Sequence, residues 1–220
     1  MLQERPANNF GIAFILAIII ALGTGIFVLI LGKNESFQVI NSNHNEIADS
    51  FFKYFTHYGD GVMWAPFGLF CFFFKRKYFI AVLAGVIIST LLAQFLKRVV
   101  YPDELRPLGY MAENFPVHLI DGVPMRKLHS FPSGHTTTAF TMALIMAYMI
   151  NKKAWSVILP LLALLAAYSR VYLSQHFPTD ILAGMCIGIV SAILSLLIYR
   201  KFVRDINKKA ASNTKIAIMR

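Results

Sequence analysis

Charge is scarce in this chain. Asp, Glu, Lys and Arg make up 15% of its 220 residues, against about 25% in average soluble domains. That excludes a disordered chain, which needs high charge and low hydrophobicity. Cysteine is nearly absent. The two present, Cys71 and Cys186, both sit inside apolar runs, which excludes a disulfide scaffold and leaves the redox compartment undefined. There is no repeat and no low-complexity tract. What fills the chain instead is apolar: 57% of residues are hydrophobic and 19 are Phe. A soluble domain of this length cannot hide that much apolar surface. The chain therefore reads as a membrane protein, one domain over residues 1–220.

A spanning helix needs roughly 20 mostly apolar residues. Residues 10–32, 78–96 and 181–199 meet that length. Residues 61–74, 136–151 and 154–169 are shorter, but each is flanked by Lys or Arg whose stems can snorkel and extend the span. The expectation is an all-α protein with six transmembrane helices in a bundle, a core over 61–200 and a basic cytoplasmic tail over 201–220. The first run is too long for the apolar core of a signal peptide, and no clear small-residue cleavage site follows it, so it is expected to be retained.

Six spans put both termini on one side. That side would carry 13 of the 21 basic residues, including Arg5, Lys75, Arg76, Lys77, Lys152, Lys153 and seven from Arg200 to the tail's Arg220, but only two of the eleven acids, Glu4 and Asp205. The positive-inside rule makes it the cytoplasm. The net charge of +10 is thus a loop and tail property facing anionic lipid rather than a nucleic-acid surface. The inner connections are very short and force antiparallel hairpins. The outer ones, 33–60 and 97–135, are long, and long loops tend to carry function. In the first, Ile47, Phe51, Tyr54, Phe55 and Tyr58 recur at helical spacing behind Asn43, a candidate cap with Glu46 three residues on. A short interfacial helix is expected there.

Three polar clusters interrupt the apolar chain: residues 97–107, 131–135 and 169–180. Span parity places all three on the outer face, although nothing in the clusters themselves requires it. Their residue types suit phosphate. Arg106 and Arg170 offer planar forks and Lys97 a compact charge. Ser133 stands where a helix cap belongs, so that its hydroxyl and the amides of Gly134 and His135 would face an anion. His135 and His176 form an acid–base or nucleophilic pair, and Asp180, one helical turn past His176, can fix its tautomer. The same one-turn spacing suits a metal pair, but no third ligand has settled spacing. The acids Asp103, Glu104, Glu113 and Asp121 read as a solvated loop face. His44, His57, His118 and His129 read as ordinary polar side chains. Gly184, Gly188 and Ala192 recur every fourth residue, a stripe for close helix packing within the chain or between copies.

Pro132-Ser133-Gly134-His135, followed after 33 residues by Ser169-Arg170 and then His176 and Asp180, resembles the second and third signatures of the type 2 phosphatidic acid phosphatase superfamily. The first signature departs: the family has lysine, six intervening residues and then Arg-Pro, and here the lysine position is Val99. An insertion of two residues within 101–105 makes Lys97 the equivalent, with Arg98 as the rival.

The resemblance implies a metal-independent and cofactor-independent phosphatase acting on a phosphomonoester or diphosphate. His176 would attack phosphorus, Asp180 would orient it, and His135 would protonate the leaving oxygen and then activate water. Lys97, Arg106, Ser133, Gly134 and Arg170 would hold the phosphoryl oxygens. It also implies a phosphorylated lipid substrate, with undecaprenyl diphosphate or a lipid A phosphate favoured over phosphatidylglycerol phosphate and phosphatidic acid. The expected setting is a bacterial plasma membrane with the active site on the outer side. A haloperoxidase is disfavoured by the six spans. A non-enzymatic anion transporter would want charged or broken helices at mid-membrane, whereas the middles of these spans are clean.

Overall fold

The computed structural model describes residues 9–111 and 116–218, with side chains over 9–110 and 116–208. Glu4, Arg5 and Glu113 lie outside the described residues, as do the side chains of Lys209, Lys215 and Arg220. All regular elements among the described residues are helical. In chain order they are α1 (Phe10–Asn41), α2 (Glu46–Phe55), α3 (Trp64–Phe74), α4 (Phe79–Phe95), α5 (Pro107–Met111), α6 (Gly134–Ile150), α7 (Lys153–Tyr172) and α8 (Pro178–Ile218). Four stretches are long and apolar enough to cross a membrane: Phe10–Asn41, Arg76–Val100, Lys153–Tyr172 and Pro178–Lys208. Gly61–Phe74 is apolar but shorter, and α6 has 17 residues.

The architecture places α6 in the centre, packed by α4, α7, α8 and α1. Its residues from Thr136 to Ile145 are all buried, as are Ala147 and Tyr148. Small residues bring the neighbours close. A Cβ on Gly184 would lie 2.7 Å from the Ser133 carbonyl oxygen, and one on Gly188 would lie 2.7 Å from Phe140 Cβ. The Gly184–Gly188–Ala192 stripe therefore packs α8 on α6 within the chain. Ala13, Ala17 and Ala21 do the same for α1, turning inward while Ile15, Ile19, Leu22 and Ile26 face outward. On α3, Phe67 and Cys71 are buried, and Phe70, Phe72, Phe73 and Phe74 form an exposed apolar face, as lipid contact requires.

Several boundaries depart from the sequence reading. Helix α1 breaks at Gly32 (φ 79°, ψ 173°), where the first span was expected to end, but the chain resumes its helix to Asn41 instead of becoming a loop. The α2 cap is Asn45, whose side chain accepts from Ala48 N. Asn43 instead donates back to Val39 O, because the preceding helix still offers that carbonyl. Helix α8 runs on as one 41-residue element, so residues 201–218 are helix where a plain tail was expected.

Candidate active site

The third cluster closes α7 and opens α8. His176 lies in the short turn between them, and its Nδ1 is 3.3 Å from Asp180 Oδ2. Both side chains are buried. Asp180 is held in place by two further donors, Ser130 Oγ and Phe177 N. Burial, and then the charges of Arg106, Lys97 and Arg170, hold the His176 imidazole well below its ordinary pKa. It is therefore neutral at pH 7, the form in which a ring nitrogen can act as a nucleophile.

The cationic groups come from three different elements. Arg106 follows the 97–105 segment and is nearly buried. Its guanidinium donates to Gln175 O (3.0 Å), Gln175 Oε1 (3.2 Å), Leu128 O (3.0 Å) and His129 O (3.4 Å). Burial and the nearby Arg126 lower its pKa to about 10, still cationic at neutral pH. Arg170, in the last turn of α7, donates to Thr56 Oγ1 (2.7 Å) and Gln175 Oε1 (3.5 Å). Its Nε is buried with no acceptor. Gln175 thus bridges the two arginines. Lys97 Nζ donates to His129 O at 3.0 Å, and His129 turns that carbonyl toward both cations from a left-handed conformation, φ 58°, uncommon for a non-glycine residue.

Lys97 and Arg98 both line the cavity, but they point differently. Arg98 is exposed and donates back to Gln94 Oε1 at 3.0 Å. Residues Leu96–Val100 form a π turn, closed by Tyr101 N to Leu96 O at 2.8 Å. A π turn holds one residue more than an α turn. Lys97 and Arg98 both fall within this turn.

At the second cluster, Ser133 caps α6 as expected, accepting from Thr136 N at 3.4 Å. Its hydroxyl oxygen is fully buried and also accepts from Thr136 Oγ1 at 3.0 Å. Gly134 and His135 line the cavity, and Ser133 does not. A Cβ on Gly134 would meet nothing within 4 Å, so the space in front of it is free for a ligand.

These groups share one open cavity of about 500 Å³. Lys53, Lys97, Arg98, Arg106, Arg126 and Arg170 line it together with His57, His129, His135 and His176, and among the described residues the single carboxylate in its wall is Asp60. Sequence reasoning did not single out Thr56, Asp60, Arg126, Ser130 or Gln175, of which Thr56 and Ser130 find their partners 114 and 50 residues away, and it read His57 and His129 as ordinary polar side chains. Glu104 pairs with Lys33 at 3.5 Å. His118 does not touch the cavity; its Nε2 lies 3.0 Å from Asp49, tying the 116–131 segment to α2. Among the described residues no group of three His, Cys, Asp or Glu side chains could hold a metal ion.

A phosphoryl group is the ligand that such a charge pattern suits, and a membrane phosphatase is the class that fold and cavity define together. The family model for the PAP2 superfamily matches residues 83–204, and the chain belongs to that superfamily. It is 30% identical over 167 residues to an undecaprenyl-diphosphatase of Sulfolobus acidocaldarius, covering 74% of this chain and 77% of the other. It is 26% identical over 168 residues to a lipid A 4'-phosphatase of Porphyromonas gingivalis, covering 72% and 69%. The crystal structure of Aquifex aeolicus LpxE superposes with a TM-score of 0.66 at 32% identity, covering 74% of this chain and 94% of that one.

Proposed function

We propose that this protein is an integral-membrane lipid phosphatase, a single domain that cleaves a phosphomonoester or diphosphate at the outer face through a phosphohistidine. The observation that carries the reading is the unpartnered buried Nε of Arg170, a residue lining the same cavity as His176, whose Nδ1 is turned to Asp180. A buried donor without an acceptor is costly, and a phosphoryl oxygen would satisfy it. Lys97, Arg106 and Arg170 then hold the equatorial oxygens, Gly134 leaves room for them, and Ser133 supports the loop as the cap of α6. Spread over three oxygens, the transition-state charge is met by preorganised cations.

His176 attacks phosphorus with its unprotonated nitrogen while Asp180 keeps the other nitrogen on its tautomer. His135 gives a proton to the leaving oxygen, then takes one from water as the N–P bond breaks. Lysine and arginine supply the positive charge, and chelators are expected to leave turnover unchanged.

The lipid part of the substrate is supported by a second, apolar cavity of about 610 Å³ between α3 and α6, lined by Tyr58, Met63, Phe67, Phe70, Met142 and Met146 among others. Tyr58 directly follows His57 of the polar cavity, so a chain could leave the phosphate site along this groove. Undecaprenyl diphosphate and lipid A phosphate are the favoured substrates, in line with the names of the relatives. Gly61–Phe74 and α6 complete six spans, α2 lies in the outer interface, and both termini face the cytoplasm.

Phosphate release from a panel of purified lipids tests the substrate. Turnover of polyprenyl diphosphate or lipid A, with phosphatidic acid much slower, is expected. His176→Ala is expected to abolish turnover and the acid-labile phosphoenzyme trapped with labelled substrate. Labelling that persists in this variant would remove the mechanism.

A further inference from the structure

The reading of His135 as the proton donor, on which this inference rests, sets a difficulty. A protonated imidazole at that position shares the cavity with Lys97, Arg106 and Arg170, and each of these opposes a further positive charge. Asp180 offers little relief, because its carboxylate is turned to His176, Ser130 and Phe177 N.

Asp60 is placed otherwise. It stands between two 3-10 turns, Thr56–Gly59 and Gly61–Met63. Its Oδ1 accepts from Val62 N at 3.2 Å, which fixes the carboxylate. Its Oδ2 lies 3.9 Å from His135 Nε2 and 3.9 Å from His57 Nδ1. The preceding residue shows how tightly this segment is seated. A Cβ on Gly59 would lie 2.8 Å from the His135 carbonyl oxygen, an approach open only to glycine. Thr56, at the start of the same turn, takes the Arg170 guanidinium at 2.7 Å. One five-residue segment therefore bears on both the proton donor and a phosphate-binding arginine.

We propose that Asp60 is a positioning residue for His135. It supplies the counter-charge that lets the ring carry its proton among the cations, and it restrains the ring's rotation. In the first step the lipid–oxygen bond to phosphorus breaks as the His176 N–P bond forms, and the His135 proton passes to the leaving oxygen. In the second, water loses a proton to His135 as its oxygen displaces the His176 nitrogen. Asp60 itself neither gives nor takes a proton. A separation of 3.9 Å is longer than a hydrogen bond, but contacts of this kind often tighten only when substrate is bound.

The test compares wild type, Asp60→Asn and His135→Asn in detergent with two substrates. One is a lipid phosphate, whose alkoxide leaves poorly and needs a proton. The other is p-nitrophenyl phosphate, whose leaving group departs without one. The rate of phosphoenzyme formation is read in a single turnover. Asp60→Asn keeps an acceptor for Val62 N and loses the charge. It is expected to slow the lipid reaction about 10- to 100-fold, within the range for acid–base catalysis, with little change in KM and little loss on nitrophenyl phosphate. His135→Asn is expected to show the same dependence on leaving group, more strongly. Inhibition by vanadate, a probe of the phosphate site, is expected to be unchanged in Asp60→Asn. Equal losses on both substrates, no loss at all, or lost vanadate inhibition would overturn the role of Asp60. A His135→Asn variant lacking the leaving-group dependence would instead overturn the assignment of His135.

Discussion

Arg170 has its fork on Thr56 and Gln175 and its Nε on nothing. Arg106, by contrast, has Nε, Nη1 and Nη2 all on carbonyl or amide oxygens. The two arginines therefore act differently: Arg106 is a locked charge, while Arg170 still has a donor to give. Lys97 and Arg98 divide in a similar way. Lys97 shares the His129 carbonyl with Arg106, and Arg98, exposed, donates to Gln94 one turn back. Lys97→Ala is accordingly expected to cost about 10²–10³ in kcat, the scale for one preorganised donor, and Arg98→Ala to cost little. Steady-state kinetics on the same lipid decides it, and the reverse order would make Arg98 the phosphate ligand. The His176–Asp180 and Ser169-Arg170 spacings were legible in the sequence because each lies within two turns of one chain segment. Thr56 was not, since 114 residues separate it from Arg170. Ser130, 50 residues from Asp180, was hidden for the same reason.

Among the elements, α6 and α8 matter most for the site. Ser133 N donates to Asp180 O at 3.0 Å, so the start of one helix is tied to the start of the other. Gly184 lets them meet: a Cβ there would strike the Ser133 carbonyl at 2.7 Å and Thr136 Cβ at 2.9 Å. Backbone cannot yield as a flexible side chain does. Gly184→Ala is expected to destabilise the protein by about 1–3 kcal/mol through overpacking and to lower activity, since it pushes α8 and Asp180 away from α6. Gly23→Ala is the control. It meets nothing within 4 Å and gains up to about 1 kcal/mol of helix propensity. Thermal unfolding in detergent should separate the two, and an unchanged melting temperature in Gly184→Ala would show that the helices can part without cost. The element pattern itself was visible as apolar runs. Its ends were not, because the helix after Gly32 and the continuation of α8 past Tyr199 carry mixed composition, and apolar periodicity says little there.

For the whole molecule, the charge imbalance and the short inner connections predict which face meets the cytoplasm. The proposed topology places the cavity outside, where a lipid of the outer leaflet can enter sideways with its phosphate at headgroup depth. Single cysteines at Asp121 and Lys152, in a background lacking Cys71 and Cys186, test it. Both positions are exposed. Ser174, in the outer turn, would be a poor probe, because it is buried and bonded to Asn41 and His118. An impermeant thiol reagent on intact spheroplasts is expected to label position 121 and spare 152, and the opposite pattern would invert the protein.

Composition and short-range spacing alone determined that this is a helical membrane protein with a histidine–aspartate pair and an arginine six residues before the histidine. Hydrophobicity and one-turn periodicity are local properties, and a single chain segment carries them whole. Tertiary structure alone decided that Gln175 bridges two arginines and that Gly59 and Asp60 sit against His135. Apart from the bond between Gln175 and Arg170, those contacts join residues about 70 or more positions apart. They exist only because α6, α7 and α8 pack closely enough to bring their outer ends into one cavity, and no pattern confined to one segment encodes that meeting.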